Sequence, residues 1–474
     1  MKLPLAPFTT RSTDRIDDVG RTIRCARSPV RTGMRATPLL ATGCCALVAG
    51  AIAGFVAIHK TAHATRTIET SSLATDQIRY RFSIETHASS DPIATIADLE
   101  ARIAARATPF DMAELADLYL RRATRLGDPA DFARAEATAK RSLELLPSPN
   151  SAPLTLARIA TARHEFRAAI DLARGYLAHS QSHGAYTILT TSYLALGELP
   201  AAAESAETQV TRKPSSGAYL MRALVYAAQG RDAEAAYDFA RAVVVEELGD
   251  PSEAARLRTT WGRFLLRRGD TAGAQLLVAE ALRIAPGDPL ALAQRAEIAL
   301  RTGHARDART MFARAFEASR NVRYLIDEAR ALEVAGDHAA ATSVRTQVEK
   351  LVRAELASSG TGHALDLVEI LVDRGDQLDE AIAIGTAEVA RRPSADVRFQ
   401  LARAYHRAKQ PREAIVQIRA ALATGVRDAR IYELAARLEA ALGNGPRAEM
   451  YRREASLLDP ANRGWRQLGL EVVK

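Results

Sequence analysis

The chain has 474 residues, of which 47% are hydrophobic and 25% charged. That composition supports folded cores and excludes wholesale disorder. Only 5% of residues are aromatic, and the abundance of Ala, Leu and Arg favours helices over a β-sandwich or barrel.

The formal charge of +8 is unevenly spread, because residues 65–474 carry 55 bases and 53 acids. The body is therefore no polyanion surface, and no nucleic-acid partner is expected. Residues 1–35 are rich in Arg, Ser and Thr without periodicity and read as a basic disordered segment. Residues 36–58 form an uncharged run of 23 residues preceded by seven arginines. At about 1.5 Å rise per residue such a helix spans a bilayer. The positive-inside rule then places everything after Lys60 across the membrane. Two outcomes stay open. One is an uncleaved anchor with the body facing the periplasm or exterior. The other is a signal cleaved near Ala64, after Ala62-His63-Ala64, giving a secreted or periplasmic protein. Met34 is an alternative start. Cys25, Cys44 and Cys45 all precede residue 65, so the body holds no disulfide or cysteine site. Residues 59–90 read as a stalk or linker. Asp91-Pro92 starts a helix expected to cover the first edge of the body. Residues 461–474 read as a C-terminal tail or capping helix.

Between these ends the chain repeats. A small residue recurs at Ala135, Ala169, Ala202, Ala235, Ala274, Ala308, Ala341, Ala381, Ala414 and Ala448. The spacing is 33 or 34 residues, except for 39 before Ala274 and 40 before Ala381. Such a period marks a stack of helical units that cannot bury their apolar faces alone. The unit is clearest from Arg258 to Pro286. Trp261 and Leu265 share one face of a first helix, and Gly269-Asp270 ends it. Ala274, Val278 and Ala281 form a second stripe, and Pro286-Gly287 stops it. Two insertions interrupt the phase, one before Arg256 and one around 350–364. Leu351, Val352 and Leu356 predict an extended second helix at the latter. Leu126 to Phe132 lengthens the first turn.

In this pattern the sequence closely resembles the tetratricopeptide repeat family over roughly residues 110–460. Arg222-Ala223, Tyr226, Gly230, Ala235, Phe239 and Ala242 match its motif. So do Ala296, Ala299, Gly303, Ala308, Phe312 and Ala315, then Leu401-Ala402, Tyr405, Ala414 and Ala421, and finally Ala436, Gly443, Ala448, Ala455 and Pro460. The weakest unit surrounds Ala381, with Gly385 in mid-helix. The resemblance implies an all-α, right-handed superhelical solenoid of about ten helix-turn-helix repeats, preceded by one N-terminal hydrophobic helix. It also implies first helices on the concave face, and a non-enzymatic scaffold binding a protein or peptide there. A structural tether of an envelope assembly, or an enzyme or enzyme regulator using the array as a scaffold, are the alternatives.

No HExxH, GxSxG, P-loop or GxGxxG motif stands in a suitable context, so no catalytic residue, cofactor or metal is expected. His179 and His183 are four apart but lack further ligands. Aligning the repeats on their alanines places Arg263, Arg267, Arg301, Arg330, Arg403, His406, Arg407 and Arg437 on inward positions of first helices. Arginine forks suit carboxylates, and these positions suggest a groove for an acidic peptide segment or a carboxylate. Some relatives in the family clamp a terminal carboxylate with Lys and Asn. Here Arg stands where that first-helix Asn is expected, so the clamp is not carried over. The contrary reading, in which each arginine pairs with an acid such as Glu297, Glu333 or Glu433, stays open.

Overall fold

The computed structural model describes residues 73–84, 92–126, 129–249, 251–359 and 363–459, all within one compact unit, Thr67–Lys474. A short helix α1 (Thr75–Ile78) and a leading helix α2 (Pro92–Ala105) come first. Ten helical hairpins then follow in chain order among the described residues. The first five are α3 (Pro109–Leu126) with α4 (Pro129–Leu145), α5 (Ala152–Ala162) with α6 (Phe166–Leu177), α7 (His183–Leu196) with α8 (Leu199–Arg212), α9 (Ser216–Ala228) with α10 (Asp232–Val244), and α11 (Pro251–Arg267) with α12 (Thr271–Ile284). The last five are α13 (Pro289–Arg301) with α14 (Ala305–Ser319), α15 (Val322–Val334) with α16 (His338–Ser359), α17 (Ala364–Arg374) with α18 (Leu378–Arg391), α19 (Ala395–Arg407) with α20 (Pro411–Leu422), and α21 (Ala429–Ala441) with α22 (Gly445–Leu458).

The sequence period lands on one structural position. Each of the ten recurring alanines sits in the second helix of its hairpin, and none is more than 1% exposed. A methyl group there lets two helices pack closely, whereas any longer side chain would wedge them apart. Side-chain caps start several helices. Ser182, Ser215 and Asp288 cap the first helices α7, α9 and α13, and Asp270 caps the second helix α12. Each accepts from the backbone N–H three residues on. From the second hairpin on, first helices end at a left-handed residue, as at Gly269 with φ 85°. His164 and Lys409 hold the same conformation at φ 60° in the second and ninth hairpins.

The insertions have definite places. The first lengthens α11 to 17 residues, against 13 in α9 and α13. The second makes α16 a helix of 22 residues, extended as expected; Val348 and Val352 on it are fully buried, while Leu351 is exposed. Helix α2 covers the first edge of the array, burying Ile96 and Leu99 against Leu115 and Tyr119. Among the described residues no helix is long and apolar enough to cross a membrane. The run 36–58 and the tail 461–474 lie outside the described residues.

Residues 73–84, expected to belong to a stalk, are packed instead. Ile78 and Tyr80 are 1% and 4% exposed and join the cores of α10–α13. The physical reason is an alternating apolar stretch, Ile78, Tyr80, Phe82 and Ile84, which needs a surface to cover.

The array winds back on itself. Helix α3 touches α14. Arg391 Nη1 donates to the His164 carbonyl at 3.2 Å, and Arg427 Nη1 pairs with Asp232 at 3.1 Å. The closest approach is between two turns: a Cβ added at Gly230 would stand 2.4 Å from the Gly425 carbonyl oxygen. Only glycine fits there. The contacts join residues about two hundred positions apart, so successive superhelical turns stack on one another.

Candidate functional site

The stacking of turns leaves a lumen of about 490 Å³ on the concave side, open in part to solvent. First helices supply most of its wall: Arg263 and Arg267 from α11, Glu297 and Arg301 from α13, Arg323, Asp327 and Arg330 from α15, Asp366 and Glu369 from α17, Asp396 from α19, and Arg430 from α21. Ala455 and Asp459, at the end of α22, close it on one side. Leu290, Phe312, Tyr324 and Phe399 add apolar surface. Both charge signs are thus abundant, and what matters is which of them are already paired.

Most are. Arg330 and Arg403, both predicted as groove residues, are only 5% and 1% exposed. Arg330 pairs with Asp373 at 3.0 Å, with Asp327 at 3.2 Å and with Glu369. Arg403 pairs with Asp373 and donates to Gln400 at 2.7 Å. Arg323 binds Glu369 from the other side and Asp327 at 3.0 Å. Burial alone would raise the Glu369 carboxyl, but Arg323, Arg330 and Arg403 hold it well below the usual carboxylate range. These groups form a structural network knitting α15, α17 and α19 together. The pairing does not follow the local rule expected from sequence. Glu333 is taken by Arg345 at 2.9 Å and by His338 at 2.6 Å, while Arg330 reaches acids on the next first helix.

Arg301 pairs with Asp459 at 3.0 Å, tying α13 to the end of α22. Arg430 pairs at 2.6 Å with Asp428, which caps α21 by accepting from the Arg430 N–H. The carboxyl of Asp428, buried yet faced by Arg430 and Arg267, is pulled below its ordinary value.

Arg263 and Arg267 differ from all of these. Neither makes an ion pair or hydrogen bond among the described residues. The two are one helical turn apart on α11 and share a face. Arg263 is exposed to solvent although it lines the lumen, with neighbouring chain around it. Burial and Arg267 push its guanidinium below the ordinary value, opposed by Glu297 and Asp396. It stays protonated nonetheless. Asp396 also stands without an ion pair among the described residues, and Glu297 accepts from Gln294 at 3.3 Å.

The remaining predicted residues lie outside the lumen wall. Arg437 pairs with Glu433 at 3.4 Å, as the local rule expects. Arg407 is exposed, and its Nη2 covers the turn at Gly375, where an added Cβ would stand 2.7 Å from it. Half-buried His406 is pushed down by burial and then by Arg437, Arg407 and Arg403. The eight predicted residues therefore divide into a luminal unpaired couple, a set used in internal ion pairs that includes Arg437, and Arg407 and His406 outside the lumen wall. Sequence reasoning missed Arg323, Glu369, Asp373, Asp396, Asp428 and Arg430. Only Asp428 carried a local signal, a cap residue before an apolar-periodic stretch.

No family model matches the chain, and no curated protein matches it. Solved structures do. One is yeast Tom70, with TM-score 0.36 and 12% identity, covering 80% of this chain and 90% of that one. A second is the human IFIT1 dimer with PPP-AAAA, with TM-score 0.43 and 14% identity, covering 80% of this chain and 97% of that one. A third is a thermophilic TPR protein of Thermus thermophilus, with TM-score 0.33 and 24% identity, covering 38% of this chain and 97% of that one.

Proposed function

We propose that this chain is a tetratricopeptide-type scaffold, not an enzyme, and that it holds a carboxylate-bearing end of a partner protein in its lumen through Arg263 and Arg267. The observation that carries this reading is the pair of unpaired arginines on α11, in a wall whose other arginines are bound to acids. Two guanidinium forks without internal partners, one helical turn apart, suit a carboxylate. The lumen falls within the volume range of small-ligand pockets. The nearby carboxylates Glu297 and Asp396 select against ligands that are anionic throughout.

The uncharged run 36–58 after seven arginines supports a body held outside the cytoplasm, by an anchor or after cleavage near Ala64. A reporter active only after export, fused at the C-terminus, is expected to be active. An inactive reporter on a full-length, folded fusion would defeat this placement.

The luminal reading is tested by titrating acidic, neutral and basic peptides, each with a free or amidated C-terminus, at two salt concentrations. Free-carboxylate peptides should bind best and more weakly at high salt. Arg263→Glu with Arg267→Glu should weaken them at least tenfold, whereas Arg407→Glu with Arg437→Glu should not. Equal binding of amidated peptides, or indifference to the luminal reversals, would reject the site.

A further inference from the structure

The packed segment 73–84 is bound in a manner unlike the rest of the chain. After α1 it runs extended, with Arg79 at φ −67° and ψ 132°. Its apolar residues alternate. Leu73 and Ile78 enter one cluster with Trp261 and Leu277. Tyr80, Phe82 and Ile84 enter another with Ala255, Ala281 and Ile284. Arg79 and Arg81 between them face outward. The backbone is gripped by side chains of the solenoid. Arg258 Nε donates to the Ile78 carbonyl at 2.6 Å, and Glu280 Oε1 accepts from the Tyr80 N–H at 2.7 Å.

Arg258 is fully buried. It is held in place from below by Glu246, at 2.6 and 2.8 Å, and by the Ala254 carbonyl at 3.0 Å. Its guanidinium also lies 5.8 Å from the centre of the Tyr80 ring. Glu280 is oriented by Arg283 at 2.6 and 2.7 Å. Both gripping groups therefore have their own support, and they meet the segment at its backbone and at the Tyr80 ring. Glu246 belongs to the connection lengthened by the insertion before Arg256, and Ala254 to the extra turn of α11. The slot is thus built by the departure from the repeat period. Backbone anchors combined with pockets for alternate side chains are how extended peptides are recognised in general.

We propose that the slot formed by α10, α11 and α12 is a recognition site for an extended peptide with apolar residues at alternate positions, and that residues 73–84 occupy it in cis as a displaceable strap. The partner it fits is a protein segment of Ile-x-Tyr-x-Phe type whose charged residues face outward. The site is distinct from the lumen and does not depend on its ligand. While the strap is bound, its high effective concentration keeps weaker peptides out.

The test uses a labelled synthetic peptide of residues 73–84 as the probe, followed by fluorescence anisotropy against the full chain. In the Ile78→Asp, Tyr80→Asp variant the strap should leave its slot, and the probe should bind at least tenfold more tightly than it binds the unaltered chain. Adding Arg258→Ala to that variant should lose at least tenfold, and a probe carrying Tyr80→Asp should not bind. A folded variant that fails to bind the probe, or equal binding by both chains, overturns the proposal. A second measurement covers a variant that fails to fold. A protease site is placed between Ile84 and Pro92 of the otherwise unaltered chain. After cleavage the probe should replace the strap while helix content stays constant. Loss of helix on cleavage, or a strap that never exchanges, would show an integral part of the fold and overturn the proposal.

Discussion

Glu369 has three arginines within its reach and almost no solvent, so its removal leaves Arg330 and Arg403 buried with less compensation. Breaking such a network from one side costs about 3–5 kcal/mol. Glu369→Ala should therefore lower the denaturation midpoint far more than Glu449→Ala, whose partners Arg452 and Arg453 are exposed. Equal small effects would contradict the network. Histidines at the contact between the second and eighth hairpins add a pH dependence. Burial, with Arg392, His363 and Arg391, pushes His164 down to about 4, against Asp366. Burial would also lower His363, but Asp366 and Glu355 raise it to about 10. Between about pH 6.5 and 4 the unfolded chain holds the proton that His164 refuses, so stability falls on acidification. Between about pH 6.5 and 10 the folded chain keeps the proton on His363, so stability falls as pH rises. His164→Gln should flatten the acid side of a midpoint-against-pH curve, and His363→Gln the alkaline side. Unchanged curves would refute the assignment. Little of this was legible in the sequence, because the Glu369 network joins successive first helices and His164 meets its neighbours across superhelical turns.

Helices and their pairing were far more legible. The alanine period located every second helix, and glycine signals located several turns, though not those at His164 and Lys409. The mid-helix Gly385 looked like a weakness, yet α18 and α19 approach so closely that an added Cβ would stand 3.1 Å from Leu401. The fifth hairpin gives the sharpest test of register. Trp261 is 4% exposed and stacks on Phe239 with ring centres 6.0 Å apart. Its truncation to Ala should cost about 3–5 kcal/mol. An added Cβ at Gly262 would already stand 3.2 Å from Val278 and 3.4 Å from the Ala274 carbonyl, so Gly262→Leu should cost about 1–3 kcal/mol. Whole denaturation curves must be compared, since a long array need not unfold in one step. Parent-like curves for both variants would show the helix faces to be wrongly placed. The strap escaped the sequence reading for the opposite reason. Its period of two is clear in Ile78, Tyr80, Phe82 and Ile84, but a short alternating run beside a helical array has no strand to pair with and reads as a linker.

At the scale of the molecule, a period shows that hairpins stack but not how tightly the stack coils. The coil depends on a small rotation per repeat, which accumulates over many units and is altered by insertions. That is why the sequence left open whether the inward arginines line a basic groove or pair with acids, and why a lumen of mixed charge was found. It is also why Arg403, aligned with Arg263 by register, serves an internal ion pair while Arg263 stands free. The central claim is therefore the closure of the array, which turns the concave face into a lumen. It is tested most directly in a chain with Cys25, Cys44 and Cys45 replaced by Ser and single cysteines put in place of Asp232 and Arg427, whose side chains meet at 3.1 Å. Treatment of the dilute protein with a short bifunctional maleimide should give an efficient intramolecular cross-link, and placing Val at Gly230 should suppress it by forcing the turns apart. Absence of the cross-link in the folded parent, or a yield unaffected by Gly230→Val, would contradict the closed array and the luminal site built on it.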